Sequence, residues 1–525
     1  MRIRPSGLWL AIVAVMATLA VALERIGGSR AFPGDVGGDT VAREKETAAA
    51  REEHRQAVER VAKDPLRPKL HAVPPAFTMG DPNGLIQVKG TYHLFYQHAT
   101  TFSANPRMHW GHMRSKDLLR WEPLPIALRP EKYWHVASGS TVNDRGVVTA
   151  IYTGAEPQQQ CIAVAQDEGL LTWKPYEGNP VIAKPPKGLE VTGFRDPYVW
   201  SEGGQWRMAV GSGIAGVGGT VLVYTSRDLR KWDYVGPLCV GRKEQTGGMW
   251  ECPSLFSLGN KHVLTCNALP LPLVPAQMKT IYFVGTYRDN RFQPEIQEEL
   301  DLFGEVWAPQ VFIDERGRRI LFLLAWDARN GADYGWIGAM SLPRVLSLSA
   351  DGRLQVQPVE ELKARRYDHR AFGPLLVAPK AARMLGDLCG DPVEIVAEFE
   401  RSANGEFGGD RFGVVVRRSP GKEEQTRVFF DARAGRIAVD RTRSSLDPKV
   451  YGGSRSDRGR FAPAPGEALR LHVFVDRSVL DVFANDRAAG TTRIYPSRSD
   501  SLGIDLFAEG GNVKVRRVDV WRLRD

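Results

Sequence analysis

A short tryptophan-ended segment recurs along the chain and restricts its fold more than any other feature. Ser115-Lys-Asp-Leu-Leu-Arg-Trp121 returns as Ser226-Arg-Asp-Leu-Arg-Lys-Trp232, with Asp167-Glu-Gly-Leu-Leu-Thr-Trp173 as a looser copy between them. The three tryptophans stand 52 and 59 residues apart. Tyr287-Arg-Asp-Asn-Arg-Phe292 continues the rhythm and Asp351-Gly-Arg-Leu354 closes it. The stretches between are short and alternate in hydrophobicity, as in Gly90-Thr-Tyr-His-Leu-Phe-Tyr96 and Val147-Val-Thr-Ala-Ile-Tyr152. They read as strands. A period of this size with several strands per unit marks propeller blades, so residues 71–366 are expected to form an all-β, five-bladed propeller.

The chain has 525 residues, too many for one core, since single cores stop growing near ~250–300 residues. A second domain is expected over residues 367–525. Its alternation is clearest in Leu471-His-Val-Phe-Val-Asp-Arg-Ser-Val-Leu-Asp-Val-Phe483, and turn signals such as Asn404-Gly405 and Asn485-Asp486 separate its segments. That pattern reads as a two-sheet β-sandwich.

The first 70 residues differ. Arg2 and Arg4 precede an apolar run from Leu8 to Leu23, and Ala20-Val21-Ala22 fits a small-residue cleavage site. Residues 1–22 are therefore expected to be an export signal, which places the protein in a secreted or periplasmic compartment. An uncleaved anchor is the alternative. Residues 23–70 hold a Gly-rich linker and then a helix over Val41 to Lys63, which carries no Gly or Pro. Its sparse apolar positions predict weak packing on the body.

The net charge of +9 is dispersed. The densest basic stretch, Ser454 to Arg460, contains its own acid and no aromatic residue, which argues for a solvated loop and against nucleic-acid binding. Five scattered cysteines exclude a disulfide scaffold and a Cys-based zinc site. Gly211-Ser-Gly-Ile-Ala-Gly216 fits a dinucleotide fingerprint, but a strand follows it where a helix would have to hold the pyrophosphate. His93, His98, His109 and His112 lie in strand-like sequence and read as structural, and no serine sits in G-x-S-x-G.

Three acids remain. Asp81 lies in Met79-Gly-Asp-Pro-Asn-Gly84, Asp196 in Gly193-Phe-Arg-Asp-Pro-Tyr198, and Glu251 in Gly248-Met-Trp-Glu-Cys-Pro-Ser254. Each has a proline one or two residues on, which fixes backbone direction. They fall at the starts of separate blades, whose innermost strands line the channel, so three carboxyls are expected to converge. Crowded carboxyls drive their pKa values apart, the condition for glycosidic bond cleavage. Trp110, Trp250, Tyr198 and Trp307 offer faces for a sugar, and Asn83, Gln97, Ser138 and Arg195 offer groups for its hydroxyls.

At these residues the chain resembles glycoside hydrolase family 32, the invertase, inulinase and levanase group, across nearly all of residues 66–525. Asp81-Pro-Asn-Gly84 resembles the family's nucleophile motif, Arg195-Asp-Pro197 its R-D-P motif, and Glu251-Cys-Pro253 its E-C-P motif. Leu471 to Phe483 is similar to the signature of its C-terminal sandwich. The resemblance implies retaining cleavage of β-fructofuranosyl linkages in sucrose, inulin or levan, with Asp81 as nucleophile, Glu251 as acid/base and Asp196 as transition-state stabiliser. It implies no metal and no organic cofactor. A retaining mechanism sets the two catalytic carboxyls roughly 5–5.5 Å apart. Thr78, Gly80 and Ala137 depart from the family pattern, which leaves substrate preference open. Fructosyl transfer on the same fold and a non-catalytic carbohydrate-binding propeller are the alternatives.

Overall fold

The computed structural model describes residues 48–525 except 104–105, 131, 275–276, 382–383, 403–404, 451–454 and 457–458. The expected export signal and linker, Asn404 and part of the basic stretch lie outside the described residues.

Five four-stranded antiparallel units follow one another without interruption. Blade I comprises Pro82–Val88, Thr91–His98, His109–Ser115 and Glu122–Leu128, and blade II His135–Asp144, Val147–Ala155, Gln159–Ala165 and Trp173–Pro175. Blade III comprises Val191–Glu202, Gln205–Ile214, Gly218–Ser226 and Asp233–Val240, and blade IV Met249–Leu258, Lys261–Leu269, Lys279–Arg288 and Arg291–Glu299. Blade V holds Val306–Ile313, Arg319–Ala325, Arg344–Leu348 and Leu354–Pro358, with Ala339–Met340 as an extra pairing. Each innermost strand contacts that of the next blade, and that of blade V returns to blade I, so the ring is closed. A parallel pairing of Phe77–Thr78 with Trp336–Ile337 ties the start of the domain to its end.

The repeated segment proves to be the turn between the third and outermost strands. In each copy an aspartate accepts backbone N–H bonds from residues ahead of it: Asp117 from Leu119 and Arg120, Asp167 from Leu171 and Thr172, Asp228 from Arg230 and Lys231. The first and third are Asx turns, and Asp167 closes a wider loop. The following leucine takes positive φ (66° at Leu118, 55° at Leu170, 64° at Leu229), and the tryptophan Nε1–H donates to its carbonyl at 2.8–2.9 Å. Asp, Leu and Trp recur because one turn needs an acceptor, a buried apolar anchor and a ring that closes back on it.

A 3₁₀ turn, Glu360–Arg365, leads to two packed sheets. The first orders Arg366–Phe372, Val513–Leu523, Val393–Glu400, Leu469–Asp476, Val479–Ala484 and Ala488–Arg493, with Leu375–Val377 beside Val513–Leu523. The second orders Arg455–Ser456, Arg436–Arg443, Gln425–Asp431, Arg411–Arg418 and Gly503–Glu509. Their inner faces share an aliphatic and phenylalanine core. The long alternation over 471–483 is two strands of a hairpin, turning where Arg477 adopts φ 56°.

The helix α1 spans Ala48–Lys63 and is docked more firmly than its composition predicts. Ala57 and Val61 lie one turn apart on one face and are buried, Val61 against Trp336 and Val479. Gly335, at φ 82°, permits this approach, because a Cβ there would stand 2.2 Å from the Ala57 carbonyl oxygen. Just past the helix, Asp64 accepts from Trp336 Nε1 at 2.8 Å and pairs with buried Arg329 at 2.9 Å. Two apolar residues suffice when the next turn supplies a buried ion pair.

Candidate active site

The innermost strands all carry the same irregularity. Between Asn83 and Ile86, Val136 and Gly139, Arg195 and Tyr198, Glu251 and Ser254, and Trp307 and Gln310, the inner strand has one residue more than its partner. A bulge of this kind bends the strand and re-aims its side chains. The residue that enters the bulge has positive φ in four blades: 52° at Gly84, 63° at Asp196, 48° at Cys252 and 51° at Ala308. Arg195, Glu251 and Trp307 thus occupy one position in three successive blades, and Asp196, Cys252 and Ala308 the next. The sequence carries this signal as Arg-Asp-Pro, Glu-Cys-Pro and Trp-Ala-Pro at an interval of 56 residues.

The bulges bring the three acids together. Arg195 donates to Glu251 Oε1 from Nε at 2.9 Å and from a terminal guanidinium nitrogen. Its Nε stands 4.0 Å from Asp196 Oδ2. Asp196 is 7% exposed, and its Oδ2 accepts from the Cys252 backbone N–H at 3.1 Å. Asp81, at the entry to blade I, accepts from Ser138 Oγ at 2.8 Å on Oδ2, and the Cys252 thiol lies 3.8 Å from that oxygen. Among the described residues nothing donates to Asp81 Oδ1 or to Glu251 Oε2. One oxygen of each of these carboxyls is therefore held and the other is left for chemistry.

Three carboxyls face one guanidinium, and the imbalance shows in their acidity. Burial, reinforced by the charge of Glu251 and opposed by the Ser138 bond, pushes Asp81 up to about 6. Burial also pushes Asp196 up to about 7, with Arg195 pulling against it and Glu251 and Asp81 adding to it. Burial and mutual repulsion thus work against ionising both aspartates together.

Five residues expected to meet a sugar do other work. Asn83 and Trp110 are wholly buried and Gln97 is nearly so. Asn83 Oδ1 accepts from Gly139 N at 3.3 Å, Gln97 Nε2 donates to Val136 O at 2.9 Å, and Trp110 Nε1 donates to Ala137 O at 2.9 Å. All three bracket the backbone that the blade II bulge frees, so the expectation of substrate contact is corrected to one of joining blade I to blade II. Ser138 spends its hydroxyl on Asp81. Trp250 is likewise buried, donating to Thr246 O at 2.9 Å. Tyr198 and Trp307 are half-buried, Trp307 against Met249, Leu269 and Met278.

Sequence reasoning missed Gln310, whose amide accepts from Leu85 N at 3.3 Å and donates to Gly139 O at 2.9 Å. It satisfies backbone groups at the bulges of blades I and II from the inner strand of blade V. It also missed Cys252, packed between Asp81 and Asp196. Gly80 fits its place: its N–H donates to Gln97 O at 2.7 Å, and a Cβ there would meet Gln97 Cβ at 2.9 Å.

The chain matches known proteins over most of its length. Residues 71–358 match the model of the glycosyl hydrolases family 32 N-terminal domain, and 375–522 that of the family 32 C-terminal domain. A sucrose-6-phosphate hydrolase from Zymomonas mobilis is 33% identical, covering 92% of this chain and 97% of that protein. A levanase from Bacillus subtilis is 34% identical over 87% of this chain and 70% of its own. The crystal structure of fructan 1-exohydrolase IIa from Cichorium intybus superposes with a TM-score of 0.75 at 25% identity, over 88% of this chain and 98% of that one.

Proposed function

The chain belongs to glycosyl hydrolase family 32 and is a glycoside hydrolase acting on fructosides, and from that premise we propose that it cleaves sucrose or fructans with retention through Asp81 and Glu251. The observation that carries the reading is the pair of half-held carboxyls. Asp81 is fixed through Oδ2, which leaves Oδ1 without a donor among the described residues, while Glu251 is fixed through Oε1.

In the proposed reaction Asp81 Oδ1 attacks the anomeric carbon of a β-fructofuranosyl unit. Glu251 protonates the glycosidic oxygen as that bond breaks, leaving a fructosyl ester on Asp81. Glu251, now ionised, takes a proton from water, which attacks the same carbon and releases fructose and free Asp81. Asp196 accepts hydrogen bonds from fructosyl hydroxyls, and its charge favours the oxocarbenium-like transition state. Arg195 holds Glu251 in place and offsets negative charge in the cluster.

The names of the relatives, a sucrose-6-phosphate hydrolase and a levanase, support sucrose and fructans as the substrates to try. The N-terminal pattern of basic residues, apolar run and Ala-x-Ala supports work outside the cytoplasm, which fractionation of the expressing cells checks. Purified protein is incubated with sucrose, inulin and levan, the sugars are separated by chromatography, and the anomer first released is read by NMR. Free β-fructose is expected. An α-anomer would overturn retention, and fructosylated sugars in place of free fructose would assign the chain to transfer.

A further inference from the structure

Trp134 is the exposed tryptophan among the described residues, 46% open to solvent. Asp81, Ser138 and Glu251 lie close to where their inner strands begin, so those beginnings mark the end of the channel that substrate enters. Trp134 immediately precedes the inner strand of blade II, His135–Asp144. Four residues separate it from Ser138, a reach of at most about 13–14 Å of extended chain. That reach takes in the ring joined to the fructosyl unit at Asp81 and the ring after it.

The indole is fixed. The Arg107 guanidinium lies over it, 5.7 Å from the ring centroid, and donates to the carbonyls of Tyr133, at 3.1 Å, and Pro130. His135 stands edge-on to it at 6.1 Å, and its Nδ1 accepts from Met108 N at 3.1 Å. Val136 N donates to Met108 O at 3.0 Å. The Tyr133 ring fills the space beside Gly154, where a Cβ would stand 2.6 Å from it. An exposed apolar ring held this rigidly loses little conformational entropy on binding, and a hexose presents a C–H-bearing face that can cover it.

We propose that Trp134 is a platform for the second sugar ring on the leaving-group side, so that the site is built for fructo-oligosaccharides and fructans beyond the disaccharide. The proposal rests on the fructosidase reading above. Steady-state kinetics of wild type, Trp134→Ala and Trp134→Phe on sucrose and on a fructosyl trisaccharide test it. For Trp134→Ala, kcat/KM on the trisaccharide is expected to fall about tenfold through KM with kcat unchanged, the size of one ring contact. On sucrose, which leaves a single ring, it should stay within about twofold. Trp134→Phe should recover most of the loss. Equal losses on both substrates, or none on either, would overturn the platform. Wild type inactive on every fructoside would overturn the fructosidase reading itself.

Discussion

Two of the buried charge clusters in this molecule differ in a way that separates a site from a strut. In the channel, Asp81, Asp196 and Glu251 share Arg195. Between propeller and sandwich, His71 lies with both ring nitrogens against aspartates, Nδ1 to Asp476 at 2.7 Å and Nε2 to Asp481 at 2.8 Å, all of them out of solvent. Arg344 continues that network to Asp301 at 3.3 Å and Thr491 at 2.6 Å. Burial alone would lower His71, but its two carboxylate bonds win and raise it to about 9. Asp476 is buried too, yet the His71 bond brings it below its ordinary value. Asp301 is the exception there, pushed up to about 6 by burial that Arg344 only partly offsets. The interface pairs most of its charges, whereas the channel leaves its acids short of partners. Acids short of partners are left for chemistry, and fully paired ones hold domains together.

The comparison is broken most directly by removing acids from the channel. Asp81→Ala is expected to abolish turnover on every fructoside, because no other group can form the covalent intermediate. Glu251→Ala should cost roughly 10²–10⁴-fold, the usual size of acid–base help, and less on an activated aryl fructoside whose leaving group needs no proton. Azide should partly restore Glu251→Ala on that substrate and leave Asp81→Ala inactive. Identical responses of the two variants to leaving group and azide would reverse or void the assignment. Asp81→Ala should not lower the melting temperature much, since Asp81 hydrogen-bonds no cation, whereas Glu251→Ala takes both hydrogen bonds from part-buried Arg195 and should lower it.

At the interface the opposite balance is expected. His71→Ala removes the imidazolium that bridges Asp476 and Asp481, a loss of about 3–5 kcal/mol by the usual cost of removing one member of a buried pair, while kcat of the folded enzyme stays within about twofold. Thermal melts and kinetics below the transition check both halves. The pH dependence has a definite sign. His71 binds its proton more tightly folded than unfolded, so its stabilisation is complete below about 6.5 and disappears as pH rises through about 9. Melts from pH 7 to 10 should converge for wild type and variant. A variant that melts normally but turns over poorly would place His71 in catalysis and erase the contrast.

The blades were legible in sequence because their turn chemistry is local. Asp117, Leu118 and Trp121 do their work within five residues, so three copies suffice to announce a repeat. The acids were legible because each sits beside a proline in a motif. What stayed hidden is made by distant pairs. Asn83, Gln97 and Trp110 are polar or aromatic residues of a sugar-binding type, and only the blade II bulge, 27–56 residues away, shows that they serve its freed backbone instead. His71 finds Asp476 across 405 residues, and no periodicity foretells that. The docking of α1 depends on Gly335, whose missing side chain has no local meaning.

The smallest effect separates the clusters most finely. Below about pH 4 the Asp196 carboxyl is neutral in both folded and unfolded chains and contributes nothing to the difference between them. Between there and about 7 the unfolded chain has lost that proton while the folded chain keeps it, so raising the pH favours unfolding. Above 7 the folded enzyme bears the full cost of a buried, under-partnered charge. Asn at this position can still accept the Cys252 N–H but cannot ionise. Asp196→Asn should therefore melt higher than wild type at pH 8, by roughly 2 °C, which about 1 kcal/mol supplies in a domain of this size, and the gap should close by pH 4.5. Its turnover should nevertheless fall severely, because the transition state loses a charge. Lower melting at both pH values would mean that Asp196 is held like the interface aspartates, as a strut.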